Sequence, residues 1–79
     1  MKVTVYVTPK PSVLDPQGAA VAHAMTTLGF EGAGDVRVGK TIEFEVDGGD
    51  SEEFHEILDG LCHKLFANPV IEDYRYEIH

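Results

Sequence analysis

The sequence contains few of the residues that build covalent or metal-based supports. Among its 79 residues there is one cysteine, and there is no tryptophan. A single cysteine excludes an internal disulfide, and no spaced set of cysteines and histidines predicts a structural zinc site. Because a domain of this size buries only about 60% of its unfolded surface, its own core is marginal. Self-association is the remaining way to bury more apolar surface.

Long apolar runs and basic residues are scarce as well. No segment approaches the roughly 18 consecutive apolar residues of a membrane span, and the first residues lack the apolar block of a signal peptide. Since the unpaired Cys62 is usual in a reducing compartment, we expect a cytoplasmic protein with no membrane partner. Six basic residues against fourteen acidic ones give a formal net charge of −8, which argues against nucleic acid as a partner.

The negative charge is concentrated in the second half of the chain. Residues 1–40 include four basic and three acidic residues, whereas residues 41–79 include two basic and eleven acidic ones. A solvated acidic face that aids solubility is the simpler interpretation. A surface that attracts a basic partner is the alternative.

Hydrophobic alternation predicts strands at both ends of the chain. Residues 2–8 place Val3, Val5 and Val7 on one face, which indicates a half-buried strand that ends at Pro9. Residues 70–78 predict the last strand by the same argument. Its apolar residues in register are Val70, Tyr74, Tyr76 and Ile78.

The first helix is predicted from Asp15-Pro16 to Gly29. Asp15 is a good N-cap and Pro16 is suited to the first helical position, while Gly29 favours the left-handed conformation that ends a helix. Phe30 is placed to fold back on Met25, as in a Schellman ending. The predicted apolar stripe consists of Val21, Ala24, Met25 and Leu28.

The second helix is predicted between the turn at Gly48-Gly49 and Asn68-Pro69. Either Asp50 or Ser51 caps it, with Glu53 as the capping-box partner of Asp50. Asn68-Pro69 ends it. The predicted apolar stripe is stronger than that of the first helix and consists of Phe54, Ile57, Leu58, Leu61, Cys62 and Leu65.

Residues 35–47 predict strand structure of two possible kinds. A two-residue turn at Gly39-Lys40 is disfavoured, because it would place valines and glutamates on one face. A hairpin with a three-residue loop over residues 39–41 satisfies the pattern. A single strand bent at Gly39 also satisfies it, and we favour the bent strand because three-residue loops usually have their glycine last.

These elements predict an α+β fold. The order is β-α-β(-β)-α-β, a small sandwich with an antiparallel or mixed sheet and two helices on one face. The opposite face of the sheet is polar, and the pattern leaves open whether it meets solvent or another sheet.

The histidines and the cysteine do not indicate catalysis. His55, Asp59 and His63 follow one stripe of the second helix and would be weak ligands for a divalent metal, but solvent-facing polar residues are the more ordinary interpretation. Cys62 is next to His63, yet adjacent helical residues point about 100° apart. We therefore expect Cys62 to pack in the core, and we expect no metal and no catalytic residue.

Arg37 and Lys40 are the only clustered bases of the middle region. The glycine-rich residues 29–34 before them follow a helix and precede a strand, which is the reverse of a phosphate-binding loop. The two bases either form weak salt bridges with the acidic half or contact a partner's carboxylates or a substrate phosphate. The residues alone leave these alternatives open.

Three segments of the chain also resemble those of a known family. Their sequences are LDPQG at residues 14–18, VRVGK at residues 36–40 and LFANPVIEDY at residues 65–74. In this order and at this spacing they are similar to the PurS family, the small subunits of phosphoribosylformylglycinamidine synthase. The resemblance covers essentially the whole chain and implies a single PurS-like domain over residues 1–79.

The resemblance implies a role in the fourth step of de novo purine synthesis. In this family a large synthetase subunit activates the amide of formylglycinamide ribonucleotide with ATP and magnesium, and a glutaminase subunit releases ammonia from glutamine. The small subunit bridges the two and supports ammonia transfer. It is part of a ligase complex but has no catalytic residue and no bound cofactor of its own.

The resemblance further implies a relative of the ferredoxin-like fold that forms a homodimer or homotetramer through its sheets. The alternative, by analogy of fold alone, is a small metabolite-sensing or regulatory module. The positions that match the family motifs and are candidates for assembly contacts are Asp15, Gly18, Arg37, Gly39, Lys40, Asn68 and Glu72.

Overall fold

Three strands and two helices make up the fold. The structure, a computed structural model, describes residues 1–11 and 13–79. Within these residues the elements are β1 (Lys2–Pro9), α1 (Pro16–Thr27), β2 (Lys40–Glu45), α2 (Glu52–Leu61), a π-helical turn (Cys62–Phe66) and β3 (Glu72–Ile78). The strands form one antiparallel sheet in the order β2-β1-β3. The predicted α+β class is confirmed.

The central strand β1 supplies the core of the sheet. Val3, Val5 and Val7 are fully buried, as their alternation predicts. Val5 is opposite Ile42 of β2 and Tyr76 of β3, so apolar side chains of all three strands share one face. The helix α2 packs on this face.

The helix α2 covers that face with one row of side chains. Leu58 and Cys62, four residues apart, are fully buried and belong to the same cluster as the valines of β1. Ile57 and Leu65 of the predicted stripe are instead 63% and 69% exposed. A three-stranded sheet is about 10 Å between its outer strands, which is about the diameter of one helix. It therefore covers a single row of α2 residues.

Ser51 caps α2. Its Oγ accepts from the backbone N–H of Phe54 at 3.1 Å, while Asp50 contacts His55 instead. The predicted capping box between Asp50 and Glu53 does not form, because the cap is one residue later.

The helix widens into the π-helical turn before Asn68. The N–H of Ala67 donates to the carbonyl of Cys62 at 2.8 Å, an i to i+5 bond. The turn brings the ring of Phe66 to 5.9 Å from that of Phe44, centroid to centroid.

Residues 36–39 correct the prediction for the middle of the chain. They form neither a bent strand nor one arm of a hairpin, since β2 begins at Lys40. Val36 and Val38 are half-buried in an irregular segment. The physical reason lies in contacts that bind this segment to α1 and to β1, and these are described with the site below.

The helix α1 ends as predicted but does not pack as predicted. Its Schellman ending is formed, with Gly29 at φ +94° and the N–H of Phe30 donating to the carbonyl of Met25 at 2.9 Å. Of the described residues of α1, Gly18 alone is buried, and Val21 is 42% exposed. Because α2 already occupies the width of the sheet, the apolar stripe of α1 is left largely uncovered by the other described residues.

On the polar face of the sheet, side chains of β1 and β3 contact one another. The guanidinium of Arg75 lies over the ring of Tyr6 at 4.0 Å from its centroid and pairs with Glu77 at 3.0 Å. Thr4, between Glu43 and Glu77 in register, is buried.

The chain is elongated, with extents of 48 × 24 × 15 Å and a radius of gyration of 15.9 Å. A compact domain of this length would have a radius of gyration of about 12 Å. Among the described residues, no helix has both the length and the apolar character that crossing a membrane requires.

Candidate functional site

Residues of the three sequence motifs meet in one region of the molecule. We call this region the motif junction and define it as residues 13–18, 35–39 and 71–72. Two adjoining clefts open there, with volumes of about 380 Å³ and about 260 Å³. The larger cleft lies between the start of α1 and residues 35–37. The smaller one is lined by residues of all three segments, among them Leu14, Val38 and Ile71.

Asp15 joins two of the three segments through its carboxylate. Oδ1 accepts from the N–H of Gln17 at 3.1 Å, which is the predicted N-cap bond. Oδ2 accepts from the N–H of Val38 at 2.8 Å. The backbone bond from Val38, followed by that from Gly18, holds the pKa of this carboxyl below its usual value, because these bonds favour the ionised form.

Two glycines let the segment approach its neighbours closely. A Cβ on Gly18 would lie 2.0 Å from the carbonyl oxygen of Val36, and a Cβ on Gly39 would lie 2.4 Å from the carbonyl oxygen of Val7. Any other residue at either position would collide with backbone. Residues 36–39 are thus clamped between α1 and β1, which explains why they do not extend β2.

The third motif forms the turn that leads into β3. The side chain of Asn68 accepts from the N–H of Val70 at 3.1 Å, and its backbone N–H donates to Oε1 of Glu72 at 2.8 Å. The carbonyl of Ile71 accepts from the N–H of Lys10 at 2.9 Å. Because the backbone makes these bonds, the strand begins at Glu72 and not at Val70 as predicted. They also fasten the turn to the end of β1.

Arg37 and Lys40 are the two predicted site residues with unused side chains. Both are exposed, and neither forms a salt bridge with any residue in the described ranges. The proposed pairing with the acidic half is therefore absent within residues 1–11 and 13–79. Lys2, Lys10 and Arg75 do pair with acids, as in Lys2 with Glu43 at 3.5 Å.

Asp35 is a residue of this site that the pattern did not indicate. Its φ is +50°, in the left-handed region, which is uncommon for a residue other than glycine, although aspartate tolerates it. Asp35 lines the larger cleft beside Arg37. The exposed Leu14 also lines the cleft, and although it lies in the first motif it was not among the candidate assembly residues.

His55 of α2 and His63 of the π-helical turn contact aromatic residues. The ring of His55 lies between Tyr76 Oη at 3.1 Å and Asp50 Oδ1 at 2.5 Å, and the ring of His63 meets that of Tyr74 edge-on at 5.2 Å. The described residues contain no group of three or more histidine, cysteine or acidic side chains able to hold a metal ion.

Cys62 lies in the core beneath α2. Burial raises the pKa of its thiol, and the negative charge of Asp59 raises it further. Both causes favour the neutral thiol, which is a poor nucleophile. Cys62 therefore packs as an apolar side chain.

The chain matches known proteins along its whole length. The family model described as PurS, phosphoribosylformylglycinamidine (FGAM) synthase, matches residues 2–79. The PurS subunit of this synthase from Bacillus subtilis is 48% identical over 77 residues, which cover 98% of this chain and 90% of that protein. The subunit from Methanocaldococcus jannaschii is 36% identical over 98% of this chain and 93% of its own length.

Solved structures agree with the sequence match. The crystal structure of B. subtilis PurS superposes with a TM-score of 0.88 at 47% identity, over 99% of this chain and 96% of that chain. A chain in the structure of PurLQS from Thermotoga maritima superposes with a TM-score of 0.80 at 30% identity, over 96% and 93% of the two chains. This chain therefore belongs to the PurS family of phosphoribosylformylglycinamidine synthase.

Proposed function

We propose that this chain is the non-catalytic small subunit of a phosphoribosylformylglycinamidine synthase complex in the cytoplasm. In this complex it joins a synthetase subunit to a glutaminase subunit and supports the transfer of ammonia between them. The observation that carries the proposal is the nearly full-length match to a chain of the T. maritima PurLQS structure. ATP and magnesium are proposed to act on the synthetase subunit and not on this chain.

The exposed surface supports a role in assembly. The chain exposes 5670 Å², whereas a compact monomer of its mass would expose roughly 4700 Å². The excess is comparable to the roughly 800 Å² that each partner buries in a standard interface. The uncovered stripe of α1 and the two outer strands of the sheet contribute to this surface, and both support self-association as a homodimer or homotetramer.

The seven candidate assembly residues divide into two groups by the contacts they make. Five of them hold the motif junction in shape through caps, close approaches and a turn: Asp15, Gly18, Gly39, Asn68 and Glu72. Arg37 and Lys40 form no salt bridge with a described residue. We propose that these two contact a partner, while the five preserve the surface that presents them.

Reconstitution tests the proposed function. The synthetase and glutaminase subunits are assayed for glutamine-dependent product formation with and without this chain, and ammonium chloride replaces glutamine as a control for the synthetase. We expect glutamine-dependent turnover only when this chain is present, since ammonia must be passed between subunits that it joins. Full glutamine-dependent turnover by the two larger subunits alone would refute the proposal.

A further inference from the structure

The segment before β2 is held so that one side chain projects from it. Val36 and Val38 are half-buried, while Arg37 between them is exposed. Three contacts fix the segment. The carboxylate of Asp15 accepts a hydrogen bond from the N–H of Val38. Because Gly18 and Gly39 have no side chain, the segment also lies closely against α1 and β1. An irregular segment with this many backbone contacts keeps the base of the Arg37 side chain in a fixed position.

The surroundings of Arg37 indicate what it binds. Its guanidinium has no acidic partner among the described residues, in a chain whose net charge is −8. It lies at the rim of the 380 Å³ cleft, whose apolar lining includes Val13, Leu14 and Ala22. A free cation beside an apolar cleft is complementary to a carboxylate next to an apolar side chain, and arginine is enriched at the centres of protein interfaces.

We propose that Arg37 is a docking residue that binds a carboxylate of a larger subunit of the complex. An apolar side chain next to that carboxylate enters the cleft. This inference rests on the proposed function, and it adds the chemistry of the partner segment and the residue that recognises it.

A phosphate group fits the same place less well. Asp15 and Asp35 line the cleft together with Arg37, and two carboxylates repel a dianion. The N-terminus of α1, the usual anion-binding feature, is already occupied by the carboxylate of Asp15. A single carboxylate, paired in bidentate fashion with the guanidinium, carries less charge into this setting.

A second copy of the chain is also a weaker candidate for the cleft. The surfaces that self-association would cover are the apolar stripe of α1 and the outer strands of the sheet. The second half of a second copy is acidic, and some of its carboxylates, such as Glu43 and Glu77, already pair with Lys2 and Arg75. Because self-association has those other surfaces available, we assign the motif junction to a different protein.

The test measures how variants of the full-length chain bind the synthetase and glutaminase subunits. Arg37→Ala and Arg37→Glu remove or reverse the charge, and Arg37→Lys retains it without the bidentate geometry. Lys64→Ala is the matched control, because Lys64 is exposed and forms no salt bridge with a described residue. We expect Kd to weaken about tenfold for Ala, more for Glu and less for Lys, with Lys64→Ala within about twofold. Circular dichroism and Tm confirm that each variant is folded.

The outcomes separate this inference from the proposed function. If the wild-type chain binds and Arg37→Glu binds equally well, Arg37 is not the docking residue, although the proposed function stands. If the wild-type chain does not join the larger subunits, the proposed function fails and the inference fails with it. Loss of self-association by Arg37→Glu in sedimentation, without loss of binding to the larger subunits, would assign the cleft to a second copy and overturn the inference.

A further arm tests the phosphate alternative. Thermal unfolding of the wild-type chain and of Arg37→Ala is followed with and without inorganic phosphate at constant ionic strength. We expect no difference between the two responses. A rise in Tm with phosphate that is confined to the wild-type chain would show that the guanidinium binds phosphate, and it would overturn the assignment to a protein carboxylate.

Discussion

The two halves of the molecule are stabilised by different means. The half made of the sheet and α2 buries apolar side chains, with Val3, Val5, Val7, Leu58 and Cys62 fully inaccessible. The half made of α1 and the motif junction buries little more than Gly18 among its described residues. It is held by the carboxylate of Asp15 and by backbone contacts at two glycines. The sheet half therefore depends on the volume of its side chains, and the junction half depends on positions where a side chain must be absent.

The largest effect should come from a cavity in the sheet half. Leu58→Ala removes a fully buried side chain and should lower the free energy of unfolding by about 2–5 kcal/mol, measured by urea titration. Its neighbour Ile57 is 63% exposed, so Ile57→Ala should cost less than about 0.5 kcal/mol. Equal losses for the two variants would contradict the single-row packing of α2.

The next effect should come from adding volume in the junction half. Gly18→Ala places a methyl group against the carbonyl oxygen of Val36, so the segment must shift, and the free energy of unfolding should fall by about 1–3 kcal/mol. Gly60→Ala is the control in α2, because a Cβ there meets nothing within 4 Å. It should raise stability by about 0.5–1 kcal/mol. A stabilising Gly18→Ala would refute the clamped junction.

The third effect concerns how the stability of the junction half depends on pH. Asp15→Asn keeps an N-cap residue but removes the charge that Val38 and Gly18 favour. The folded pKa lies below the ordinary value of 3.8, so the ionised carboxylate stabilises the fold above that value. This stabilisation is lost as pH falls through the folded pKa. The difference in Tm between wild type and variant should be full near neutral pH and should shrink below about pH 4. A difference that stays constant across pH would exclude the charge as its cause.

The smallest effect should come from a surface ion pair of the sheet half. Glu43→Gln removes the partner of Lys2, whose Nζ lies 3.5 Å from the carboxylate, and both side chains are about half exposed. The change in the free energy of unfolding should be about 0–0.5 kcal/mol, and it should diminish further with added salt. A loss comparable with that of Gly18→Ala would mean that charge on the polar face stabilises the fold as much as the junction geometry does.

The sheet half was largely predictable from the sequence. Alternation identified β1 and the strand that contains β3, and the stripe of α2 identified the buried Leu58 and Cys62. The pattern overestimated the core at Ile57 and Leu65, because periodicity shows which residues share a helix face but not how wide the opposing sheet is. The sheet of the described residues has three strands and is therefore narrower than the four-stranded alternative.

The junction half was predictable in its parts but not in their arrangement. The cap at Asp15 and the Schellman ending at Gly29 follow from local sequence and are confirmed. The bond from Val38 to Asp15 joins residues 23 positions apart, and no local pattern reports it. Val36 and Val38 have the alternation of a strand, yet the hydrogen bond to Asp15 and the close contact at Gly18 give their backbone other partners. The roles of Arg37 and Lys40 in assembly stay predictions.

The elongated shape has a consequence for how partners are spaced. A body 48 Å long and only 15 Å thick has ends that lie far apart, so partners that bound at opposite ends would not compete for the same area. The length of the chain would then set the distance between the two sites at which those partners bind. Because α2 covers the narrow sheet with a single row of side chains, a chain of this size forms a long, thin body.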